Sequence, residues 1–369
     1  MDEINKIHIF NDSLGFYANE FINRMSIINP SIKYCSIIYP TYPHEKVQYF
    51  DPNTSKDFIH QYFRYATHLY IHFYTFPVLY YINIAKKVNP NIIITWMFWS
   101  GEYYNNFYDE NDIYLNHSKK YIRLSLGRSL GRYIKNMIGI GHEAKKRSLM
   151  QAFLQADFFA CILPFDFENV YQNKRHHCKF IPFSYLAYDQ IIPTANIADI
   201  THGKEIMINH SADPSLNHYE AMMAINNLDI KNKIILSLAY GKLKYKHDII
   251  TLGKEMFADR LVLITEYYPK EHYFLLIKHV GFAIFNNKIQ QGFGTIVPLL
   301  WMGVKLFMRE ENSIYKTFKS WGIIIFSIQK DLQKDAFADL LRTDQVLHNR
   351  TILSQYLSSK AVDTYYRNL

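Results

Sequence analysis

Short apolar runs alternate with segments of helical spacing along this chain, and the whole pattern occurs twice. Many runs are rich in β-branched or aromatic residues and end in polar or proline-containing turns, which is typical of buried parallel strands. In the first half the runs span residues 7–10, 34–39, 69–74, 92–99, 158–163 and 180–183. In the second half they span residues 206–208, 234–238, 261–264, 282–285, 305–308 and 323–326. Two such sets favour two doubly wound α/β domains with parallel sheets.

Length and composition support this division. The chain has 369 residues, of which 49% are hydrophobic, enough to form two cores. Periodicity is weak over residues 189–203, so we predict domains at 1–195 and 196–369, with the last helical segment packing back across the boundary. The three cysteines are far apart, which favours reduced thiols. Residues 176–178 are His, His and Cys, which are types that bind metals. Three adjacent side chains cannot all converge on one ion, so no metal site is predicted.

A first candidate site lies at residues 205–218. The apolar residues 205–208 read as a strand, Ser211 and Asp213 are good N-cap types, and Pro214 suits the first position of a helix. A strand that leads into a helix N-terminus leaves unpaired backbone N–H groups at the positive end of the helix dipole, where phosphate binds well. An ordinary capped turn has the same local pattern.

A second candidate site lies at residues 287–295. Gln290 and Gln291 precede the sequence Gly-Phe-Gly-Thr at 292–295, directly after a predicted strand. The glycines allow close backbone approach to a ligand, and Thr295 is predicted to cap the helix that follows. Because carboxyl ends of parallel strands meet at one edge of a sheet, we expect the two sites to meet and hold one diphosphate.

Three runs in the second half resemble glycosyltransferase family 56, the bacterial TDP-N-acetylfucosamine:lipid II N-acetylfucosaminyltransferases. The runs are Asn209-His210-Ser211-Ala212-Asp213-Pro214-Ser215-Leu216-Asn217-His218, Gln290-Gln291-Gly292-Phe293-Gly294-Thr295 and Arg309-Glu310-Glu311-Asn312. In the first half, residues 96–104 are similar to the family's Trp-Gly-x-Asp-x-Tyr segment, with Ser100 in place of glycine and Glu102 in place of aspartate.

The resemblance implies a GT-B architecture, in which two Rossmann-like domains face each other and the C-terminal domain binds the donor. It also implies transfer of a deoxy or acetamido sugar of the fucosamine type from a nucleotide-diphosphate sugar, TDP-linked, in bacterial surface polysaccharide synthesis. The implied acceptor is a polyprenyl-diphosphate-linked glycan, and the implied location is cytoplasmic, at the inner face of the cell membrane. No cofactor is expected, since the nucleotide-sugar is a substrate.

Such folds neutralise the leaving diphosphate with helix N-termini and polar side chains rather than with a bound metal. The phosphate-binding role falls to the two turns, and the residues that follow other strands are predicted to border the base, ribose or sugar. The predicted donor-binding residues are Asn209, His210, Ser211, Asp213, Ser215, Asn217, Tyr240, Tyr268, Gln290, Gln291, Gly292, Gly294, Thr295, Glu310 and Asn312.

If the reaction inverts the anomeric centre, a side chain of the N-terminal domain must take the acceptor proton. Glu102 is the first candidate, because it follows the predicted strand at 92–99. Asp12, after the first strand, is the second candidate, and His72 is the third. Glu102 could instead be a carboxylate that only braces its loop.

The formal charge of +8 is concentrated at residues 119–147. Apolar residues, among them Tyr121 and Ile122, are interleaved with the cations there, a pattern that suits an anionic membrane surface. The predicted membrane-contacting cations are Lys119, Lys120, Arg123, Arg128 and Arg132. A solvated basic helix face has the same pattern, and no nucleic-acid motif accompanies the charge, so no nucleic-acid partner is expected.

Two alternatives remain open at this point. The chain could be a GT-B transferase that uses a UDP- or GDP-sugar and a lipooligosaccharide or protein acceptor. It could also be a non-enzymatic, basic membrane- or nucleic-acid-binding module on a related scaffold.

Overall fold

The structure is a computed structural model that describes residues 5–11, 15–38, 43–51, 53–126, 140–192 and 203–369. Asp12, Arg128 and Arg132 lie outside these residues, as does the side chain of Arg123. The catalytic and membrane predictions for these positions therefore stay predictions.

The described residues contain two parallel sheets connected by helices. The strands are β1 Asn5–Phe10, β2 Lys33–Ser36, β3 Val47–Tyr49, β4 Ala66–His72, β5 Ile93–Met97, β6 Phe158–Cys161, β7 Lys179–Pro182, β8 Glu205–Ile208, β9 Ile234–Ser237, β10 Leu261–Ile264, β11 Val280–Phe285, β12 Lys305–Met308 and β13 Phe326–Ser327. The helices are α1 Phe16–Ile28, α2 Lys56–Phe63, α3 Val78–Val88, α4 Gly101–Phe107, α5 Glu110–Ile113, α6 Asn116–Leu126, α7 Ile140–Leu154, α8 Pro164–Tyr171, α9 Tyr188–Ile191, α10 His218–Asn227, α11 Leu243–Phe257, α12 Lys270–Leu276, α13 Phe293–Trp301, α14 Ser313–Trp321, α15 Ile328–Asp331, α16 Thr343–Leu357 and α17 Ser359–Arg367.

The two sheets share one strand order. The first runs β3-β2-β1-β4-β5-β6-β7 and the second β10-β9-β8-β11-β12-β13, and their strand pairs are parallel. In each sheet the order reverses once, between β1 and β4 in the first and between β8 and β11 in the second. The predicted fold class, two doubly wound α/β domains with parallel sheets, is confirmed. The reversal points are where such sheets bind ligands, outside the carboxyl ends of the strands.

Contacts divide the chain into two units. The first unit comprises 1–107, 131–186 and 360–369, and the second comprises 108–130 and 187–359. This division differs from the 1–195 and 196–369 prediction chiefly in the segment 108–130, which lies in the first half of the sequence but in the second unit. The final ten residues group with the first unit.

The segment 108–130 is attached to the second unit by hydrogen bonds and apolar contacts. Glu220 on α10 accepts hydrogen bonds from the backbone N–H groups of His117 and Ser118 at the start of α6, at 2.8 and 2.9 Å. Tyr121 packs against Tyr219 and Tyr245. Because a carboxylate at a helix N-terminus both pairs orphan N–H groups and complements the dipole, Glu220 fixes the start of α6.

This attachment corrects the expected membrane face of α6. Ile122 is buried, and the Tyr121 hydroxyl donates a hydrogen bond to Asp248 on α11. Ile122 therefore faces the protein rather than a lipid surface, and the partly buried Tyr121 contacts the protein through its ring and its hydroxyl. Among the described residues, no helix is long and apolar enough to cross a bilayer.

Candidate functional site

The carboxyl ends of β8 and β11 meet at the reversal point of the second sheet. The two strands pair in parallel, and past the end of β8 the backbone N–H of Asn209 donates to the carbonyl oxygen of Ile284 at 2.9 Å. The first and second candidate sites of the sequence follow directly after these strands. The sheet therefore brings the two sites to one edge.

Three buried asparagines hold this edge together. The Asn209 side chain donates to the Leu216 carbonyl at 3.0 Å and accepts from the Asn286 backbone N–H at 3.1 Å. The Asn286 side chain donates to the Asn217 carbonyl at 3.0 Å, and the Asn217 side chain donates to the Asn286 carbonyl at 3.2 Å. Sequence reasoning gave Asn286 no role, although a polar residue at the end of an apolar strand was the available signal.

Asn217 also connects this edge to the segment 108–130. Its side-chain oxygen accepts from the Leu115 N–H at 2.9 Å, and its side-chain nitrogen lies 3.2 Å from the Ile113 carbonyl oxygen. Its φ of 53° is left-handed, a conformation that asparagine tolerates better than most residues. These hydrogen bonds give Asn209 and Asn217 a structural role, and their contact with a donor stays a prediction.

The turn after β8 differs from the predicted helix start. Residues Pro214–Leu216 form a single 3₁₀ turn, and the α-helix begins only at His218. Asp213 caps the 3₁₀ turn, accepting from the Ser215 N–H at 2.9 Å and from the Ser215 hydroxyl at 2.6 Å. Because Asp213 already pairs the Ser215 N–H, the predicted anion site on this turn has fewer free N–H groups than the sequence indicated.

The two turns contact each other directly. The Gln291 side-chain N–H donates to the Ser215 hydroxyl oxygen at 2.8 Å. Gly292 has a left-handed φ of 81°, and a Cβ there would lie 2.8 Å from Cε1 and Nδ1 of the His210 ring. Only glycine fits this position, because both the conformation and the close approach exclude a side chain.

The N-terminus of α13 supplies a positive helix end beside His210. Gly292 is its N-cap, and its carbonyl accepts from the N–H groups of Thr295 and Ile296 at 2.9 Å. The prediction that Thr295 caps this helix is wrong, because α13 begins two residues earlier, at Phe293. The N–H groups at the start of a helix, here those of Phe293 and Gly294, have no intrahelical partner and can bind an anion.

His210 is a neutral imidazole at physiological pH. It is 8% exposed, and its ring stacks on Phe285 at a centroid distance of 5.8 Å. Burial lowers the pKa of His210 to about 4, although Asp213 opposes the shift. Its Nδ1 has no hydrogen-bond partner among the described residues. This buried nitrogen lies 2.8 Å from the position that a Cβ of Gly292 would occupy, so it faces the second turn.

The other predicted donor residues surround this edge with varied exposure. Tyr240 is 56% exposed, and Tyr268 stacks on His272. The carboxylate of Glu310 lies 2.8 Å from Lys330 Nζ, and this ion pair lowers the pKa of Glu310. Ser211 and Gln290 lie in the described turns and Gly294 lies in the first turn of α13, and their contact with a donor stays a prediction.

Asn312 has a structural role in the same region. Its side-chain oxygen caps α14 by accepting from the Ile314 N–H at 2.8 Å. Its side-chain nitrogen donates to the carbonyls of Asn287 and Ile289 at 3.0 and 2.9 Å. Both N–H groups of the amide are therefore used within the protein, and they fix the loop that leads to Gly292.

A cationic cavity of about 530 Å³ lies beside the same strand ends in the second unit. Lys288 and Arg309 line it from the β11 and β12 ends, and Lys119 lines it from α6. Arg309 is paired with Glu311 at 2.7 Å. Lys288 lies within the second candidate site of the sequence and Arg309 within a run that resembles the family, but neither was among the predicted donor-binding residues.

In the first unit, Glu102 lies in the first turn of α4, after β5. It is 1% exposed, and its Oε1 accepts from the Trp96 indole N–H at 3.0 Å and from the Trp99 backbone N–H at 2.9 Å. Its Oε2 has no partner among the described residues, and burial raises the pKa of Glu102 to about 7. Ser100, which stands in place of the family's glycine, has a left-handed φ of 85°. Glu102 can thus exchange a proton near neutral pH, and it also braces its turn.

His72, the third candidate base, is fully buried. Its Nε2 lies 2.8 Å from Nδ1 of His8, and its Nδ1 lies 2.6 Å from the Tyr185 hydroxyl. Burial lowers the pKa of His72 well below its usual value. A buried, neutral imidazole with both nitrogens engaged is a poor proton acceptor, so Glu102 is the better candidate.

Comparison with protein families gives a match to more than half of the chain. The model of the family described as 4-alpha-L-fucosyltransferase, glycosyl transferase group 56, matches residues 157–360. The match includes both turns at the β8–β11 edge and excludes Glu102.

Solved structures with the same fold are glycosyltransferases and related enzymes. Anabaena Alr3699/HepE in complex with UDP has a TM-score of 0.65 at 11% identity, covering 97% of each chain. A glycosyltransferase from Rickettsia africae has a TM-score of 0.64 at 10% identity, covering 100% of this chain and 97% of that one. Sucrose-phosphate synthase from Thermosynechococcus elongatus has a TM-score of 0.60 at 10% identity, covering 98% and 97%. At this identity the similarity establishes the GT-B fold.

We expect Asn217→Ala to lower the free energy of unfolding by about 3 kcal/mol or more. The change leaves the buried carbonyl of Asn286 and the part-buried N–H of Leu115 unpaired, at up to about 1–3 kcal/mol each, and adds the strain of a left-handed alanine. Urea unfolding followed by circular dichroism measures the loss. Asn217→Gly removes the strain and should be about 1 kcal/mol more stable than Asn217→Ala. Two variants as stable as the wild type would contradict the structural role.

We expect Glu102→Gln to stabilise the protein at pH 8 but not at pH 4.5. The folded-state pKa of about 7 exceeds the ordinary value of 4.5, so the folded protein binds more protons between these values. The free energy of unfolding of the wild type therefore falls by up to about 3 kcal/mol as the pH rises through this window. Glutamine does not ionise, so the variant does not show this fall. Urea unfolding across the pH range measures it, with the exposed Glu168→Gln as control. A difference independent of pH would refute the burial argument.

Proposed function

The chain belongs to glycosyltransferase group 56, and we propose that this glycosyltransferase uses a TDP-linked deoxy or acetamido sugar of the fucosamine type. The proposed acceptor is a polyprenyl-diphosphate-linked glycan, in bacterial surface polysaccharide synthesis. The fucosyl specificity in the family description supports a 6-deoxy sugar. The three runs in the second half stand in the order found in the family they resemble, and this resemblance supports a TDP-linked donor.

The contact between Gly292 and His210 carries the proposal for the donor site. It places the N-terminus of α13 beside a neutral imidazole and beside the Ser215–Gln291 hydrogen bond. When the bond between the sugar's anomeric carbon and the phosphate oxygen breaks, the electron pair leaves with the diphosphate. Donors that are already in place stabilise this growing charge without reorganisation.

We propose that the reaction needs no bound metal. The helix end of α13 carries a partial positive charge, and the side chains of Lys288 and Arg309 add positive charge at the neighbouring strand ends. These groups can neutralise the negative charge of the leaving diphosphate, for which other transferases use a divalent cation. Undiminished transfer in the presence of a chelator is the expected result.

We propose Glu102 as the base of an inverting reaction. The acceptor hydroxyl would lose its proton to Oε2 of Glu102, as its oxygen bonds to the anomeric carbon. Because protonation removes a buried charge, burial favours this transfer, and the hydrogen bonds of Oε1 keep the carboxylate oriented. With a pKa of about 7, a substantial fraction of Glu102 is ionised at neutral pH.

One alternative donor has support from the solved structures. The Anabaena structures of the same fold were obtained with UDP and with UDP-glucose. A UDP- or GDP-sugar, with a lipooligosaccharide or protein acceptor, is therefore the second candidate. The non-enzymatic alternative is set aside, because the family is one of transferases.

We also propose peripheral binding to an anionic membrane surface, which would bring the enzyme to a lipid-linked acceptor. Residues Lys145, Lys146 and Arg147 on α7 lie in the described part of the basic stretch, and Lys145 lies 5.3 Å from the ring centroid of the exposed Phe76. Aromatic and basic side chains together suit the headgroup region of a bilayer. This surface replaces the apolar face of α6.

We expect TDP to raise the melting temperature more than UDP, GDP or CDP, with or without a divalent cation, because a tight ligand stabilises the folded state by mass action. Gly292→Ala should abolish the shift, since its Cβ displaces His210. Gly101→Ala is the matched control, because a Cβ there meets its nearest atom at 3.4 Å. A larger shift with UDP or GDP would select the second candidate, and no shift with any nucleotide would refute the donor site.

We expect Lys145→Glu combined with Lys146→Glu to reduce binding to phosphatidylglycerol vesicles, measured by co-sedimentation. Each cation near an anionic surface contributes about 1 kcal/mol, so the loss should be at least tenfold at low salt and should diminish as salt rises. Lys231→Glu combined with Lys233→Glu, on the second unit, is the charge-matched control. Equal binding by both double variants would show that α7 is ordinary surface.

A further inference from the structure

We propose that Tyr17, Trp99 and Tyr185 form a subsite on the first unit that stacks against a sugar ring of the acceptor glycan. We propose further that the Tyr185 hydroxyl donates a hydrogen bond to this sugar. The inference rests on the proposed function, since it assigns acceptor binding to the first unit. These three residues are named the aromatic corner below.

The aromatic corner lies at the carboxyl edge of the first sheet. Tyr17 is in the first turn of α1, after β1, while Trp99 follows β5 and Tyr185 follows β7. The ring centroids of Tyr17 and Trp99 are 5.4 Å apart with planes at 82°, and those of Trp99 and Tyr185 are 4.5 Å apart with planes at 44°. Rings at such angles present faces in different directions rather than a flat stack.

The corner remains accessible in the first unit. Tyr17 is 37% exposed, and Trp99 and Tyr185 are partly exposed. A pyranose ring has one apolar face and a polar edge, which matches aromatic faces bordered by hydrogen-bonding groups. Three large aromatic side chains in mutual contact at a ligand-binding edge therefore indicate a contact surface.

A chain of buried histidines orients the Tyr185 hydroxyl. The distances are 2.8 Å from His8 Nδ1 to His72 Nε2 and 2.6 Å from His72 Nδ1 to the Tyr185 oxygen. His8 Nε2 is buried without a partner among the described residues. An unpaired acceptor costs less than an unpaired N–H, so we assign the hydrogen of His8 to Nδ1.

This assignment fixes the direction of the whole chain. His8 Nδ1–H donates to His72 Nε2, and His72 Nδ1–H donates to the Tyr185 oxygen. The hydrogen of the Tyr185 hydroxyl then points away from His72, and this is the hydrogen assigned to the acceptor sugar. Burial lowers the pKa of both histidines well below their usual values, so they orient Tyr185 without taking a proton.

The aromatic corner and the candidate base share one turn. The backbone N–H of Trp99 donates to Oε1 of Glu102 at 2.9 Å, so the position of the Trp99 ring and that of the carboxylate are coupled. A sugar stacked on Trp99 would lie next to the turn that carries Glu102. Tyr185 and Trp99 are therefore acceptor-binding residues, and His72 is a positioning residue.

The test is calorimetric titration with a short-chain prenyl diphosphate that carries N-acetylglucosamine. Tyr185→Phe removes only the hydroxyl, and loss of one hydrogen bond should weaken binding about three- to tenfold. Tyr17→Ala removes stacking area and should weaken binding by a similar factor. Tyr65→Phe and Tyr65→Ala, at the amino edge of the same sheet, are matched controls and should bind as the wild type does.

The role of His72 is tested by non-additivity. His72→Leu should weaken binding as Tyr185→Phe does, and the double variant should bind no worse than either single one, because both changes remove the same oriented hydroxyl. His72→Asn keeps a polar group near the Nδ1 position and should restore part of the affinity. Additive losses, or an equal loss in both His72 variants, would mean a merely structural role.

The outcomes separate this inference from the proposed donor site. Nucleotide stabilisation in all Tyr185 and Tyr17 variants, together with weakened acceptor binding, supports the aromatic corner. Wild-type affinity in Tyr185→Phe and Tyr17→Ala, or no binding of the acceptor probe by the wild type, overturns it. Absence of nucleotide stabilisation in the wild type would refute the donor site. The acceptor titration would then still test the aromatic corner.

Discussion

The parallel pairing of β8 with β11 is the constraint on which the candidate donor site depends. The strand order reverses at this pair, so the turns that follow the two strands come from distant parts of the sequence but leave the sheet side by side. The amides of Asn209, Asn217 and Asn286 then hydrogen-bond to the backbone of these turns. With the edge fixed in this way, Gly292 can pass within contact distance of the His210 ring and bring the N-terminus of α13 to it.

Burial controls the charge of the titratable groups at both sheet edges. It raises the pKa of Glu102 to about 7 and lowers that of His210 to about 4, because an apolar environment disfavours the charged form of either group. The two pKa shifts have different consequences for Glu102 and His210. A carboxylate near its pKa can accept a proton at neutral pH, whereas a neutral imidazole offers a hydrogen bond without repelling the cationic groups that attract a diphosphate.

Sequence patterns predicted most of the strands, because a buried parallel strand is a continuous apolar run and the carboxyl end of such a run is visible. They missed the short strand β3, and β13 begins at Phe326, where the run predicted at 323–326 ends. They were less accurate for the turns. The helix predicted from Pro214 begins at His218, and α13 begins at Phe293 rather than after a Thr295 cap. In each turn a left-handed residue, Asn217 or Gly292, sets the helix start, and side-chain capping preferences do not reveal such backbone conformations.

The sequence by itself determined the alternation of strands and helices, the family, and the two turns that carry polar and glycine residues, since these depend on local composition and spacing. Tertiary structure decided which groups remain available. It placed residues 108–130 in the second unit, used the amides of Asn217 and Asn312 in internal hydrogen bonds, and buried Ile122 where an apolar membrane face was expected. Local spacing cannot specify these outcomes, because each depends on a partner that is distant in the chain and meets it only after folding.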